Sequence, residues 1–148
     1  MTLPKKRAKP RRTTSPRCSR QRCNKRAEIL GLCVSHAEER AWDEFSTWIR
    51  QRDARCTAAW VLDTPCLGRL QAAHIVGRRN QAVRYDPANV HAACQGHHMM
   101  IDQAGAEHAK YRWAMSLLGE EGYEALMRRA AVMGDRREAI RRQLGVEV

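Results

Sequence analysis

The chain has 148 residues, 43% of them hydrophobic, and a formal net charge of +11, which suits one domain with a modest core and leaves too little chain for two independent ones. No stretch approaches the roughly 20 apolar residues of a membrane helix, so a soluble protein with no membrane partner is expected. The charge is uneven: residues 1–26 hold eleven Lys or Arg and no acid, and the remaining sixteen bases and sixteen acids cancel.

Residues 1–17, MTLPKKRAKPRRTTSPR, form a basic tail without an apolar run long enough for a signal-peptide core. A disordered arm in the cytoplasm is expected, with Lys and Arg placed to displace counterions from the phosphates of DNA or RNA. In that reducing compartment six cysteines point to metal rather than to disulfides.

Residues 18–37 contain Cys18-x4-Cys23-x9-Cys33-x2-His36, two close ligand pairs that supply three thiolates and one imidazole for tetrahedral zinc. Gly31 permits a tight turn before the second pair. From Glu38 to Ala54 the residues Trp42, Phe45, Trp48 and Ile49 recur at helical spacing, which predicts a helix with that face in the core.

A second set follows: Cys56 and Cys66, nine residues between them, then Cys94-x2-His97. Together these make a second four-ligand zinc site, with Trp60 to Thr64 as an insertion that widens the first turn. Between the pairs, Leu70 to Val76 reads as a strand, Gly77 to Pro87 as a loop, Val90 to Ala93 as a second strand, and a helix is expected from about Gln95. Arg69, Arg78, Arg79 and Arg84 give this loop a positive patch with no acid between Asp63 and Asp86, and guanidinium forks suit phosphate oxygens.

Beyond the hairpin, Glu107 to Leu118, Glu120 to Met133 and Asp135 to Leu144 read as three helices separated at Gly119 and Gly134. Their apolar residues, among them Tyr111, Met115, Leu118, Tyr123, Leu126 and Met127, fall at helical spacing. They are expected to be packing faces, with dimerisation or partner docking as the alternative.

The hairpin carries the chemistry. A neutral imidazole can deprotonate water while a divalent metal takes up charge on a phosphodiester, and His74 is the candidate base. Asn89 across the hairpin is placed to orient its ring. His98 and Asp102 are four apart, so on a helix they share a face and could share one metal, Mg²⁺ or Mn²⁺. His97 points to the zinc set instead. His91, two residues after Asn89, could face the same side in a supporting or phosphate-binding role.

Those residues also carry a resemblance. The run QAAHIVGRRNQAVRYDPANVHAACQGHH resembles the HNH nuclease motif, especially that of the phage NinG/Rap-like recombination proteins, over about residues 41–130. The Cys18–His36 segment is similar to small zinc modules at the ends of some phage HNH proteins. The resemblance implies a ββα-metal fold, with His74 as general base, Asn89 orienting and His98 contacting the catalytic metal. Structural zinc would clamp the hairpin, and the products would carry 5′-phosphate and 3′-hydroxyl ends.

Three departures stand in the run or just before it. Many HNH enzymes place Asp or His, a metal ligand, where this chain has Ala73, so Asp102 or Asp86 would compensate. Ala59 and His97 stand at two positions usually held by cysteine, with Cys66 and His97 as the substitutes. NinG-like relatives often have Asn where His98 stands.

The expected fold is α+β and mostly helical: a tail (1–17), a zinc module (18–37), an HNH core (38–106) and a C-terminal helical region (107–148), with two structural Zn²⁺. The expected function is a metal-dependent DNA endonuclease acting on duplex or branched DNA, in the host cytoplasm if phage-encoded, as a homodimer or with a packaging or recombination protein. The alternatives are a non-catalytic zinc-dependent nucleic-acid binder and a phage assembly protein.

Overall fold

A computed structural model describes residues 15–147; residues 1–14 of the expected tail lie outside them. Within the tail, Arg17 already pairs with Arg26 and the Pro16 carbonyl accepts from the Ala27 amide at 2.8 Å. The ordered knuckle therefore begins before its first cysteine.

The fold is α+β, with four helices and one antiparallel two-stranded sheet among the described residues. The elements are α1 (Val34–Asp53), β1 (Leu70–His74), β2 (Val90–Cys94), α2 (Gln95–Asp102), α3 (Glu107–Ala130) and α4 (Arg136–Gln143). No helix is long and apolar enough to cross a membrane. α1 starts four residues before the expected Glu38, directly after Cys33, and ends at Ala54 in the left-handed region with its N–H on the Arg50 carbonyl.

The register of β1 on β2 pairs Leu70 with Cys94 and His74 with Val90. An isolated two-stranded hairpin is marginal in water, and here both faces are covered. Ala72 and Val90 pack on Phe45 and Ile49 of α1, while Ala73 and Ala93 pack in a cluster with Trp113, Ala114 and Leu126 of α3. Alternation along each strand sends neighbours to opposite helices, which is why β2 is buried throughout.

Two of the expected C-terminal helices are joined in α3. Gly119, at φ 65° and ψ 179°, interrupts the helix there, a left-handed conformation that favours glycine. Gly134 matters for space rather than for conformation. A Cβ on it would clash with the backbone of Gln81 and Ala82, so its bare backbone lets the loop after β1 approach the end of α3. α4 turns back onto the knuckle, where Ile140 is buried with Ile29, Leu32, Cys33 and Ala37. Residues 107–147 therefore contribute to two cores, α3 to the hairpin and α4 to the zinc module.

Candidate metal centres and basic groove

Two Cys/His groups converge among the described residues: Cys18, Cys23, Cys33 and His36, and Cys56, Cys66, Cys94 and His97, with all ligand atoms of each group within 4.8 Å of one another. A tetrahedron of zinc–ligand bonds of about 2.3 Å has edges of about 3.8 Å. In the first group Cys23 Sγ lies 3.9 Å from Cys33 Sγ, and His36 Nδ1 lies 3.3 and 3.5 Å from the sulfurs of Cys18 and Cys33. In the second, His97 Nδ1 lies 3.2 and 3.8 Å from the sulfurs of Cys56 and Cys66. Both donor sets fit a structural metal ion, and their thiolate-rich chemistry selects zinc.

The second centre binds the hairpin to its surroundings. Segment 56–58 runs beside β2, with the Thr57 N–H on the Ala92 carbonyl at 2.8 Å. This brings Cys56 to the Cys94 amide, which donates to its sulfur at 3.2 Å. Cys94 also caps α2, accepting from the His97 N–H. The widened turn has a role in the site: His97 Nε2–H donates to the Thr64 carbonyl at 3.0 Å, which turns Nδ1 toward the sulfurs and fixes the tautomer. Desolvation and the neighbouring sulfurs of Cys56 and Cys94 push the Cys66 thiol up to about 11. Three thiolates so close need a cation between them.

A groove of about 880 Å³ lies beside the sheet, lined by Trp42, Arg50, Gln71, His74, Arg78, Arg79, His98, Asp102 and Lys110, among others. His74 stacks on Trp42 with ring centroids 5.1 Å apart. Its Nε2–H donates to the Arg84 carbonyl at 3.0 Å, leaving Nδ1 as the unprotonated nitrogen. Burial, reinforced by the Arg84 charge and only partly offset by that hydrogen bond, holds His74 down at about 4, so the ring is a neutral base at neutral pH.

On α2, His98 Nε2 lies 3.0 Å from Asp102 Oδ2, and His98 Nδ1 lies 2.8 Å from Gln71 Oε1. Lys110 of α3 donates to Asp102 Oδ1 at 2.8 Å. Burial works against ionisation of Asp102, but the Lys110 hydrogen bond and charge and the His98 charge outweigh it and hold the carboxyl below its ordinary range.

Other expected site residues lie elsewhere. Asn89 makes no hydrogen bond to the His74 ring; its partners are in the loop. Fully buried, it accepts from the Val76 N–H at 2.6 Å and donates to the Val76 and Val83 carbonyls at 3.0 and 2.9 Å, so it fixes the loop that carries the Arg84 carbonyl. Asp86 is committed to the Ala88 N–H and to Arg129, outside the groove. His91 pairs with Ala73 in the sheet, on the face away from His74. There Arg52 lies 3.0 Å from its Nδ1 and the Ala88 carbonyl 3.2 Å from its Nε2. Burial, then the Arg52 charge, lowers its pKa.

Of the expected phosphate-binding arginines, Arg78 and Arg79 are exposed and line the groove, whereas Arg69 is exposed outside its lining. Arg84 is turned inward to Glu38 at 2.6 Å. Trp48, expected in the core, is 44% exposed beneath the Arg52 guanidinium. Gln71, Arg50 and Lys110 are not legible in the sequence as groove residues; only Trp42 has a signal, at the edge of the apolar helical face. Compared with protein-family models, curated proteins and solved structures, the chain finds no match.

Proposed function

We propose that the protein is a metal-dependent DNA endonuclease of HNH type, built on a ββα-metal hairpin and acting in phage DNA recombination or processing in the host cytoplasm. The observation that supports it most is the content of one groove: a neutral His74, whose Nδ1 has no hydrogen-bond partner among the described residues, in a lining that also holds the His98–Asp102 pair and exposed Arg78 and Arg79.

His98 Nε2 and Asp102 Oδ2 lie 3.0 Å apart, which matches the edge of an octahedron with metal–ligand bonds of about 2.1 Å, so the pair fits Mg²⁺ or Mn²⁺. Such a metal supplies charge neutralisation on the phosphate and its leaving oxygen. His74 Nδ1 accepts a proton from the attacking water, and the Arg84 carbonyl and Trp42 hold the ring for that transfer. Arg78 and Arg79 grip the phosphodiester. The Cys56–His97 centre keeps α2, and with it His98, in fixed relation to β1. With Ala73 buried in the α3 cluster, Asp102 is the carboxylate in reach of His98.

A second reading draws support from Ala73 and from the ion pair that already occupies Asp102: a zinc-dependent nucleic-acid binder without turnover. Mapping of the ends of linear duplex and branched DNA incubated with zinc-loaded protein tests the choice. Mg²⁺- or Mn²⁺-dependent cuts with 5′-phosphate and 3′-hydroxyl ends are expected of the nuclease. Salt-dependent binding without cuts would leave the binder.

A further inference from the structure

Lys110 is a groove cation to which the proposed chemistry gives no role. It stands in the first turn of α3, where the helix dipole disfavours a cation, and only about a quarter of its side chain is exposed. Its ammonium is 2.8 Å from Asp102 Oδ1, on the carboxylate whose other oxygen faces His98. Among the described residues Asp102 is the one acid in the groove lining, against Arg50, Arg78, Arg79 and Lys110.

A single carboxylate cannot serve an ammonium and a divalent cation at once without setting like charges a few ångströms apart. Lys110 ends a flexible chain that can move to a phosphate oxygen without disturbing α3. Arg78 and Arg79 would bring such an oxygen into the same groove.

We propose that Lys110 is a tethered counter-ion that guards Asp102: DNA phosphate draws its ammonium away, which frees the His98–Asp102 pair for a divalent cation, so metal and duplex bind cooperatively. This rests on the proposed metal role of His98 and Asp102. By linkage, duplex tightens metal binding by the factor with which metal tightens duplex binding.

The test is Mn²⁺ titration followed by electron paramagnetic resonance on the full, zinc-loaded chain. A His74→Ala background keeps the added short DNA duplex intact, and Lys110→Met and Asp102→Asn are each introduced into it. Duplex is expected to tighten Mn²⁺ binding by about 5-fold or more. Lys110→Met is expected to bind Mn²⁺ tighter than its parent without DNA and to lose most of the duplex effect. If Lys110→Met changes neither value while Asp102→Asn removes binding, the counter-ion role is overturned and the metal site stands. If no protein binds Mn²⁺ better than the Asp102→Asn variant, the metal site and the counter-ion role fall together.

Discussion

The Nε2–H of His74 donates to the main-chain carbonyl of Arg84, ten residues ahead, at 3.0 Å. The partner is backbone, so the tautomer of His74 depends on where the loop lies and not on the Arg84 side chain. Asn89 sets that position through three hydrogen bonds inside the loop. Asn89→Ala is therefore expected to cost about 2–4 kcal/mol, because it leaves buried backbone groups unpaired, and to lower cleavage per folded molecule. Urea denaturation and turnover of the variant, compared at matched zinc content, check both effects.

Burial places His74 at about 4, well below its ordinary 6.5, and the sign of the pH effect follows. Above pH 6.5 the ring is neutral folded or unfolded. As pH falls from 6.5 to 4 the unfolded chain takes up a proton that the folded chain refuses, so stability is lost across that window, by at most about 3 kcal/mol. Urea midpoints between pH 7.5 and 5 should decline less in His74→Gln than in the wild type. Cleavage should show no loss centred near pH 6.5 that His74 would cause.

Arg78 and Arg79 on one side and Arg84 on the other should behave differently. Arg78→Ala and Arg79→Ala are expected to leave stability unchanged and each to lower the slope of log affinity against log salt by about 1, as for one lost phosphate contact. Arg84→Ala leaves Glu38 to Arg136 alone; against burial, the Arg136 hydrogen bonds and the Arg84 and Arg136 charges together hold that carboxyl below its ordinary range. It should destabilise the fold and leave the salt slope in place. Fluorescence anisotropy with labelled duplex at several salt concentrations separates the two.

Two zinc ions per chain are expected, and the centres should fail differently. Cys94→Ser removes a zinc thiolate but keeps a hydroxyl that can cap α2 by accepting from the His97 amide, so it should release one zinc and unfold the hairpin core through the loss of the metal. Cys18→Ser should also release one zinc, but it should loosen the knuckle and α4 while the hairpin stays protected, since these share a separate cluster. Metal analysis and amide hydrogen exchange report both.

Gly134→Ala is expected to destabilise by about 1–3 kcal/mol, the usual range for overpacking. The added Cβ meets backbone of Gln81 and Ala82 rather than a flexible side chain. Thermal melting with zinc present checks it.

Much of this is legible from spacing. The two ligand sets, the hairpin and the His98–Asp102 face follow from periodicities of two and four, and the described elements lie within a few residues of those expected. The roles of Asn89, Asp86, His91 and Arg84 are not legible. Each depends on a long-range partner: Val76 and Val83, Arg129, Arg52, and Glu38. Spacing shows that a side chain can reach a face, but the loop path decides what it meets there. Lys110 is hidden for the same reason, since its partner Asp102 belongs to the preceding helix and the chain must turn at Gly105 before the two can meet. Gly134 is legible as a break between helices, yet its close approach to Ala82 has no trace in the sequence.

If His74 is the base of a metal-dependent phosphodiesterase, plasmid nicking should depend on it. Zinc-loaded wild type and His74→Ala would be compared with Mg²⁺ or Mn²⁺ added and then chelated. The wild type is expected to nick only with the added metal, and nicking to fall by at least about 100-fold in His74→Ala, with zinc content unchanged. Nicking that persists in His74→Ala, or a folded, zinc-loaded wild type that never cuts, would contradict that role.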